Sequence, residues 1–159
     1  MMTTAADADR PVRRRSPVRV AVIQFDPQVG LENLESNAAA VRKRLDQAVK
    51  ERANLIVLPE LASTGYSFES REEAFAHAET VPDGHTVRGW AAYAREHQVY
   101  IVGCLVEVEG NRLFDTAVLV GPDGFVGKYR KTHLWNEEKL FFTPGDLGFR
   151  DCVLAARDV

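Results

Sequence analysis

Asn54-Leu55-Ile56-Val57-Leu58-Pro59-Glu60-Leu61-Ala62-Ser63-Thr64-Gly65-Tyr66 is the stretch on which the fold turns. Residues 55–58 are wholly apolar, the pattern of a strand covered on both faces. Pro59 has no amide hydrogen to give to a ladder and closes it. Upstream, Val18-Arg19-Val20-Ala21-Val22-Ile23-Gln24-Phe25 reads the same way and stops at Asp26-Pro27. Between the two runs, Leu34, Ala38, Val41, Leu45 and Ala48 recur at three- and four-residue steps. That spacing predicts an amphipathic helix. Strand, helix and strand in this order predict a right-handed crossover and a parallel pair.

Downstream, a weaker helical pattern covers Arg71 to Ala78, and a clearer one runs from Thr86 to Gln98 with Val87, Trp90, Ala91 and Ala94 on one face. Val99 to Val106 reads as a third strand. Glu109-Gly110-Asn111 reads as a hairpin turn into Leu113 to Val120, and Pro122-Asp123-Gly124 as a second turn into Phe125 to Tyr129. The expected class is α/β, parallel at its start and then extended by hairpin strands.

With 159 residues the chain has the length of one domain and enough material for a core. A net charge of −3 gives no reason to expect nucleic acid or an acidic membrane surface as partner. Cys104 and Cys152, the two cysteines, make no disulfide framework, so a reducing cytoplasm is the default compartment. Residues 1–17 stand apart, with Arg13-Arg14-Arg15 before Ser16-Pro17. Twin arginines suggest export, but the apolar segment after them is short and broken by Arg19 and Gln24, so a disordered, solvated leader is the expectation.

Glu60 stands one residue beyond a buried strand, at the end of a sheet where ligands gather in open α/β folds. Flanked by Leu58, Leu61 and Ala62, it is expected to be poorly solvated and raised in pKa, as a general base requires. A capping or surface glutamate is the competing reading. Lys131 closes the run Lys128-Tyr129-Arg130-Lys131. Strand alternation puts Tyr129 and Lys131 on one side and Lys128 and Arg130 on the other. Lys131 is therefore placed to enter a pocket and stabilise an oxyanion, while Lys128 and Arg130 read as solvated charges. His133 reads as a structural histidine, since no matching His or Cys cluster makes it a ligand. Trp135 to Asp146 reads either as a solvent loop anchored by Phe141 and Phe142 or as a pocket wall in which Glu138 positions substrate or Lys131.

Taken together, these stretches resemble the amino-terminal half of a carbon–nitrogen hydrolase of the nitrilase superfamily. Leu58-Pro59-Glu60 with Gly65-Tyr66 is similar to that family's glutamate motif, and Tyr129-Arg130-Lys131-Thr132-His133-Leu134 to its lysine motif. Phe142-Thr143-Pro144-Gly145-Asp146 is similar to the segment that follows. The resemblance covers Val18 to Phe149, giving a hydrolase domain over 18–149 with a leader at 1–17 and an aberrant or truncated tail at 150–159. It implies part of an α-β-β-α sandwich, with Glu60 as general base, Lys131 as the lysine that stabilises the intermediate, and Glu138 as the second glutamate. It implies no metal or organic cofactor, a small-molecule amide, nitrile or N-carbamoyl substrate, and a homo-oligomer at full length. The family's nucleophile is a cysteine between an apolar strand and acidic or aromatic residues, further along than Val159. Cys152 lacks both flanks and Cys104 reads as a small buried hydrophobe. The chain as written is therefore expected to be inactive and, with its apolar strands half covered, prone to associate. The alternative is a non-catalytic fragment or interaction module that pairs with an intact homologue.

Overall fold

The structure, a computed structural model, describes residues 17–149 together with Asp151 and Leu154. Nearly all of the expected leader and tail, Cys152 included, lies outside the described residues. Five strands form one sheet whose spatial order, β1-β2-β3-β4-β5, is also their order along the chain. β1 (Val20–Val22), β2 (Leu55–Val57) and the start of β3 (Tyr100–Glu109) run parallel, with Ala21, Ile56 and Ile101 in register. β4 (Arg112–Gly121) and β5 (Gly124–Arg130) then add antiparallel. Gly110-Asn111 and Pro122-Asp123 make the two hairpin turns, and a register shift between Leu119 and Val120 adds a bulge in the second hairpin.

The two parallel strands are shorter than their apolar runs. Arg19 caps the start by giving its amide to Asn54 Oδ1 at 2.8 Å, and Ile23 continues past β1 through one bond to the Val57 carbonyl at 2.9 Å. The prolines that follow end the pairing.

α1 (Leu34–Lys50) and α3 (His85–His97) cover one face of the sheet. Val41, Leu45 and Ala48 of α1 and Val87, Trp90, Tyr93 and Ala94 of α3 pack on Ile56, Ile101, Val118 and Val120. Gln98, left-handed at φ +55°, ends α3. One predicted core position differs: Ala38 is exposed, and its neighbour Asn37 is buried instead. The side chain of Asn37 is fully used, accepting from the Gln28 amide and donating to the carbonyls of Gln28 and Ser63. A polar residue earns that place by tying the loops after β1 and β2 to the helix. A second cluster joins α2 (Arg71–Ala76) to Leu61, Val106, Leu113 and Phe142.

The expectation that β1 and β2 are covered on both faces holds on one side only. Among the described residues nothing covers the other face, where Val20 and Val22 remain 50% and 74% exposed and Leu55, Val57 and Val102 are half-buried. No helix among the described residues is long and apolar enough to cross a membrane.

Candidate active site

Three loop segments deliver the site. Beyond Pro59 the chain turns sharply, with Leu61 left-handed at φ +44° and its carbonyl accepting from Thr64 and Gly65. Gly65 itself sits at φ +76°, where a Cβ would come within 2.7 Å of the Val29 amide nitrogen, so only glycine lets the loops after β1 and β2 meet. Lys131 follows β5 directly and is fixed by its backbone, donating to the Asp115 carbonyl and accepting from the Gly145 amide, each at 2.9 Å. Glu138 opens the short helix α4 (Glu138–Phe141) and accepts the Trp135 amide at 2.6 Å, as a capping glutamate does at a helix start.

These segments place the Lys131 ammonium 2.7 Å from both Glu60 Oε1 and Glu138 Oε1, and 3.6 Å from Asp115 Oδ2. The Tyr66 hydroxyl donates to Glu138 Oε1 at 2.6 Å, and the Cys104 thiol donates to Asp115 Oδ1 at 2.9 Å. Burial alone works against the Lys131 charge, but hydrogen bonds to Glu138 and Glu60 and the nearby Asp115 overcome it and hold its pKa above the usual range. Burial likewise raises Glu138, and the Lys131, Tyr66 and Trp135 donors outweigh it, keeping that carboxylate below its ordinary value. Asp115 goes the other way. Burial and the neighbouring Glu60 carboxylate push it up to about 7, despite the thiol donor and the lysine.

Oxygens of Glu60, Asp115 and Glu138 all lie within 4.8 Å of one another, a donor set that by itself would suit a hard cation. Here the lysine ammonium reaches all three, supplying the positive charge that such a set needs. The arrangement is a lysine held in a carboxylate cage, able to present one cation to a developing anion while an adjacent carboxylate takes a proton.

Glu60, Lys131 and Glu138, the three residues singled out from sequence, come together at this end of the sheet. Three details differ from the sequence reading. Glu60 is not poorly solvated: its side chain is 45% exposed, and the desolvated carboxyl is Asp115. Arg130 is not a solvated charge but is buried, bonded through Nη2 to Glu107 at 2.6 Å and Glu109 at 3.0 Å, and through Nη1 to Asp146 at 2.9 Å. Lys128 is paired with the same Glu107. His133 is exposed and meets Thr132 Oγ1 at 3.1 Å, so it is neither a core histidine nor part of the cage. Asp115 and Tyr66 were not foreseen as contributors. Tyr66 lies in the same turn as Glu60, which is the one signal that pointed to it. Asp115 interrupts the apolar alternation of Leu113 to Val120, a quieter signal of an inward carboxyl.

Residues 19–155 match the family model of the carbon–nitrogen hydrolases. Among curated proteins, a nitrilase of Pyrococcus abyssi is 50% identical over 133 residues, covering 84% of this chain and 50% of that protein. An N-carbamoylputrescine amidase of Solanum lycopersicum is 30% identical over 139 residues, covering 84% of this chain and 45% of its own length. The chain thus spans about half the length of the curated relatives it matches. Among solved structures, an N-terminal amidase with an Asn-Glu-Ala peptide superposes with a TM-score of 0.75 at 26% identity, covering 89% of this chain and 36% of that one.

Proposed function

The chain belongs to the carbon–nitrogen hydrolase family, and from that premise we propose that it carries the acid–base half of a thiol hydrolase acting on amide, nitrile or N-carbamoyl compounds. The observation that supports this most directly is the Lys131 ammonium at 2.7 Å from both Glu60 and Glu138. In this reading Glu60 takes the proton of a cysteine thiol, and the thiolate attacks the carbonyl or nitrile carbon. Lys131 stabilises the charge that develops on the attacked oxygen or nitrogen. From an amide or N-carbamoyl carbon, ammonia or an amine leaves with a returned proton; from a nitrile, a first water adds to the thioimidate before ammonia leaves. In each case a water deprotonated by Glu60 then releases the acid and the thiol. Glu138 and Tyr66 keep the ammonium in place throughout.

Cys104, the one cysteine among the described residues, is a poor nucleophile. Burial and the adjacent Asp115 raise its thiol well above the usual range, and its proton is committed to Asp115. The nucleophile assigned by this reading is therefore a cysteine outside the described residues. A thiol enzyme of this kind belongs in a reducing cytoplasm, and we place the protein there as a homo-oligomer.

The test is ammonia release by the natural-length gene product across short amides, nitriles and N-carbamoyl amines. Glu60→Gln and Lys131→Met should each lower kcat/KM at least about 100-fold, the usual scale for a positioned base or oxyanion donor. Wild-type turnover with Lys131→Met retaining activity within about tenfold would remove the lysine from its role. A second reading, a non-catalytic module that pairs with an intact homologue, draws on the open face at Val20 and Val22. Absence of turnover at natural length, with stable association to such a homologue, would favour it.

A further inference from the structure

Behind the exposed Glu60–Lys131 pair lies a carboxyl that the reaction outlined above does not use. Asp115 is 3% exposed and projects from the middle of the β3–β4 hairpin. Its Oδ1 is satisfied by the Cys104 thiol at 2.9 Å. Its Oδ2 is buried without a hydrogen-bond partner, and the nearest cation, Lys131 Nζ, stops at 3.6 Å, beyond a good hydrogen bond. The carboxylates of Glu60 and Glu138 approach the same space, each already bonded to Lys131. Three carboxylates around one ammonium leave an excess of two negative charges, and two of the three groups, Asp115 and Glu138, are removed from water. Like-charged carboxyls at this range do not all ionise together; one keeps its proton and bonds across it. The atom in need of a partner is Asp115 Oδ2; of the two carboxylates within 4.8 Å, Glu138 is engaged on both oxygens by Lys131, Tyr66 and Trp135, which leaves Glu60 as the acceptor.

We infer that Asp115 is a positioning residue for this site: its Oδ2 carries a proton that it donates to Glu60, holding that exposed carboxylate in one orientation against Lys131. The inference rests on the hydrolase reading for its consequence, though not for its geometry. Every charged or titratable group that faces Asp115 enters the account: Cys104 from β3, Glu60 after β2, Lys131 after β5 and Glu138 from α4. Without this donor, Glu60 keeps among the described residues one bond, to the Lys131 ammonium, from a side chain that is nearly half exposed. Such a carboxylate samples many rotamers, and a base must be in place before it can work.

Carboxyl-carbon NMR of the full chain, labelled at Asp and Glu, reads the shared proton directly. The expected result is one carboxyl step near pH 7, the position to which burial and Glu60 raise Asp115. That step should vanish in Asp115→Asn, whose amide donates permanently, and move down toward the ordinary carboxylate range in Glu60→Gln. If every carboxyl of the wild type titrates below about pH 5, or if the step near 7 survives in Asp115→Asn, the inference is overturned. The wild-type and Glu60→Gln titrations decide the matter even if Asp115→Asn folds badly. At natural length the kcat/KM profile should show an inflection near pH 7 that Asp115→Asn lacks while keeping its activity on the acid side, and Asp115→Leu should lose activity on both sides. In Asp115→Leu, loss of the NMR step together with normal turnover defeats the positioning role alone. A step that responds to both variants, in a protein that hydrolyses nothing at any pH, defeats the hydrolase reading and leaves the shared proton standing.

Discussion

At the scale of single residues, Asp115 gives the folded protein a pH dependence of unusual sign. In the unfolded chain its carboxyl ionises near 3.8, and in the folded protein near 7. Between those values the folded state holds the extra proton, so stability falls as pH rises and the full cost, about 4 kcal/mol at most, is present above 7. Asp115→Asn escapes that cost. Its thermal midpoint relative to wild type should therefore climb between about pH 5 and pH 8, and a flat difference would show that Asp115 ionises normally. Glu138 has the opposite dependence: its lowered pKa stabilises the fold above the ordinary carboxylate range and ceases to do so as acid protonates it. Urea melts of Glu138→Gln should accordingly differ most from wild type near neutrality and converge with it in acid. Glu60 and Lys131 were legible in the sequence because each follows a strand-like run, and Glu138 only through the resemblance to the family's motifs. The proton-holding partner was not, since Asp115 meets Glu60 only through a register that pairs β2, β3 and β4. Which of two neighbouring carboxyls is dry depends on what packs over each, and spacing along one chain carries no trace of that.

At the scale of elements, an ion network ties the end of β5 to the sheet in addition to its backbone ladder with β4. Arg130 bonds both oxygens of the buried Glu107 on β3, and its guanidinium lies 3.8 Å above the ring of Phe114 on β4. Burial raises the Arg130–Glu107 pair's cost, but the donors Arg130, Lys128 and Thr116 outweigh it and hold Glu107 below its usual pKa. Arg130→Met leaves the buried glutamate with Lys128 and Thr116 alone, and the expected loss is about 3 kcal/mol in urea unfolding. Combining it with Glu107→Leu should recover most of that loss, because no buried charge is then left alone. Additive losses in the double variant would show that packing on Phe114, not pairing, is what Arg130 contributes. The existence of all five strands could be read from their apolar and β-branched runs and from the turns between the last three, while the pairing of β3 beside β2 could not. The fate of Lys128 and Arg130 could not: Val106-Glu107-Val108 looks like an alternating edge until the cations opposite it are known. A charged residue in a strand reads as outward, and here the pair is inward because each partner neutralises the other.

At the scale of the whole molecule, the helical layer on one face leaves the other face of β1 and β2 apolar and open. The 159-residue chain should therefore bind a hydrophobic dye and self-associate, and Val22→Lys, at a position 74% exposed, should reduce both while changing stability by no more than about 0.5 kcal/mol. A monodisperse chain that ignores the dye would show that this face is covered in solution. The sequence foretold apolar strands suited to a two-sided sheet, but hydropathy gives no means of telling which side is covered. The strand order has a kinetic consequence as well. Because β1 to β5 join the sheet in the order in which they are translated, each new strand finds its edge already formed, and no early strand waits for a late one to be inserted beside it. The two hairpins close over short loops, while the parallel pairings Val20↔Leu55 and Leu55↔Tyr100 must first close long ones and are the slower steps. On the ribosome the sheet can therefore grow by accretion, edge by edge, as the chain emerges. The lysine cage is the exception: its walls come from residues 60, 115 and 138, so it closes only after the last hairpin is made and the segment beyond it has been synthesised. A chain stalled before Glu138 would carry a well-formed sheet around a cage that lacks one of its walls.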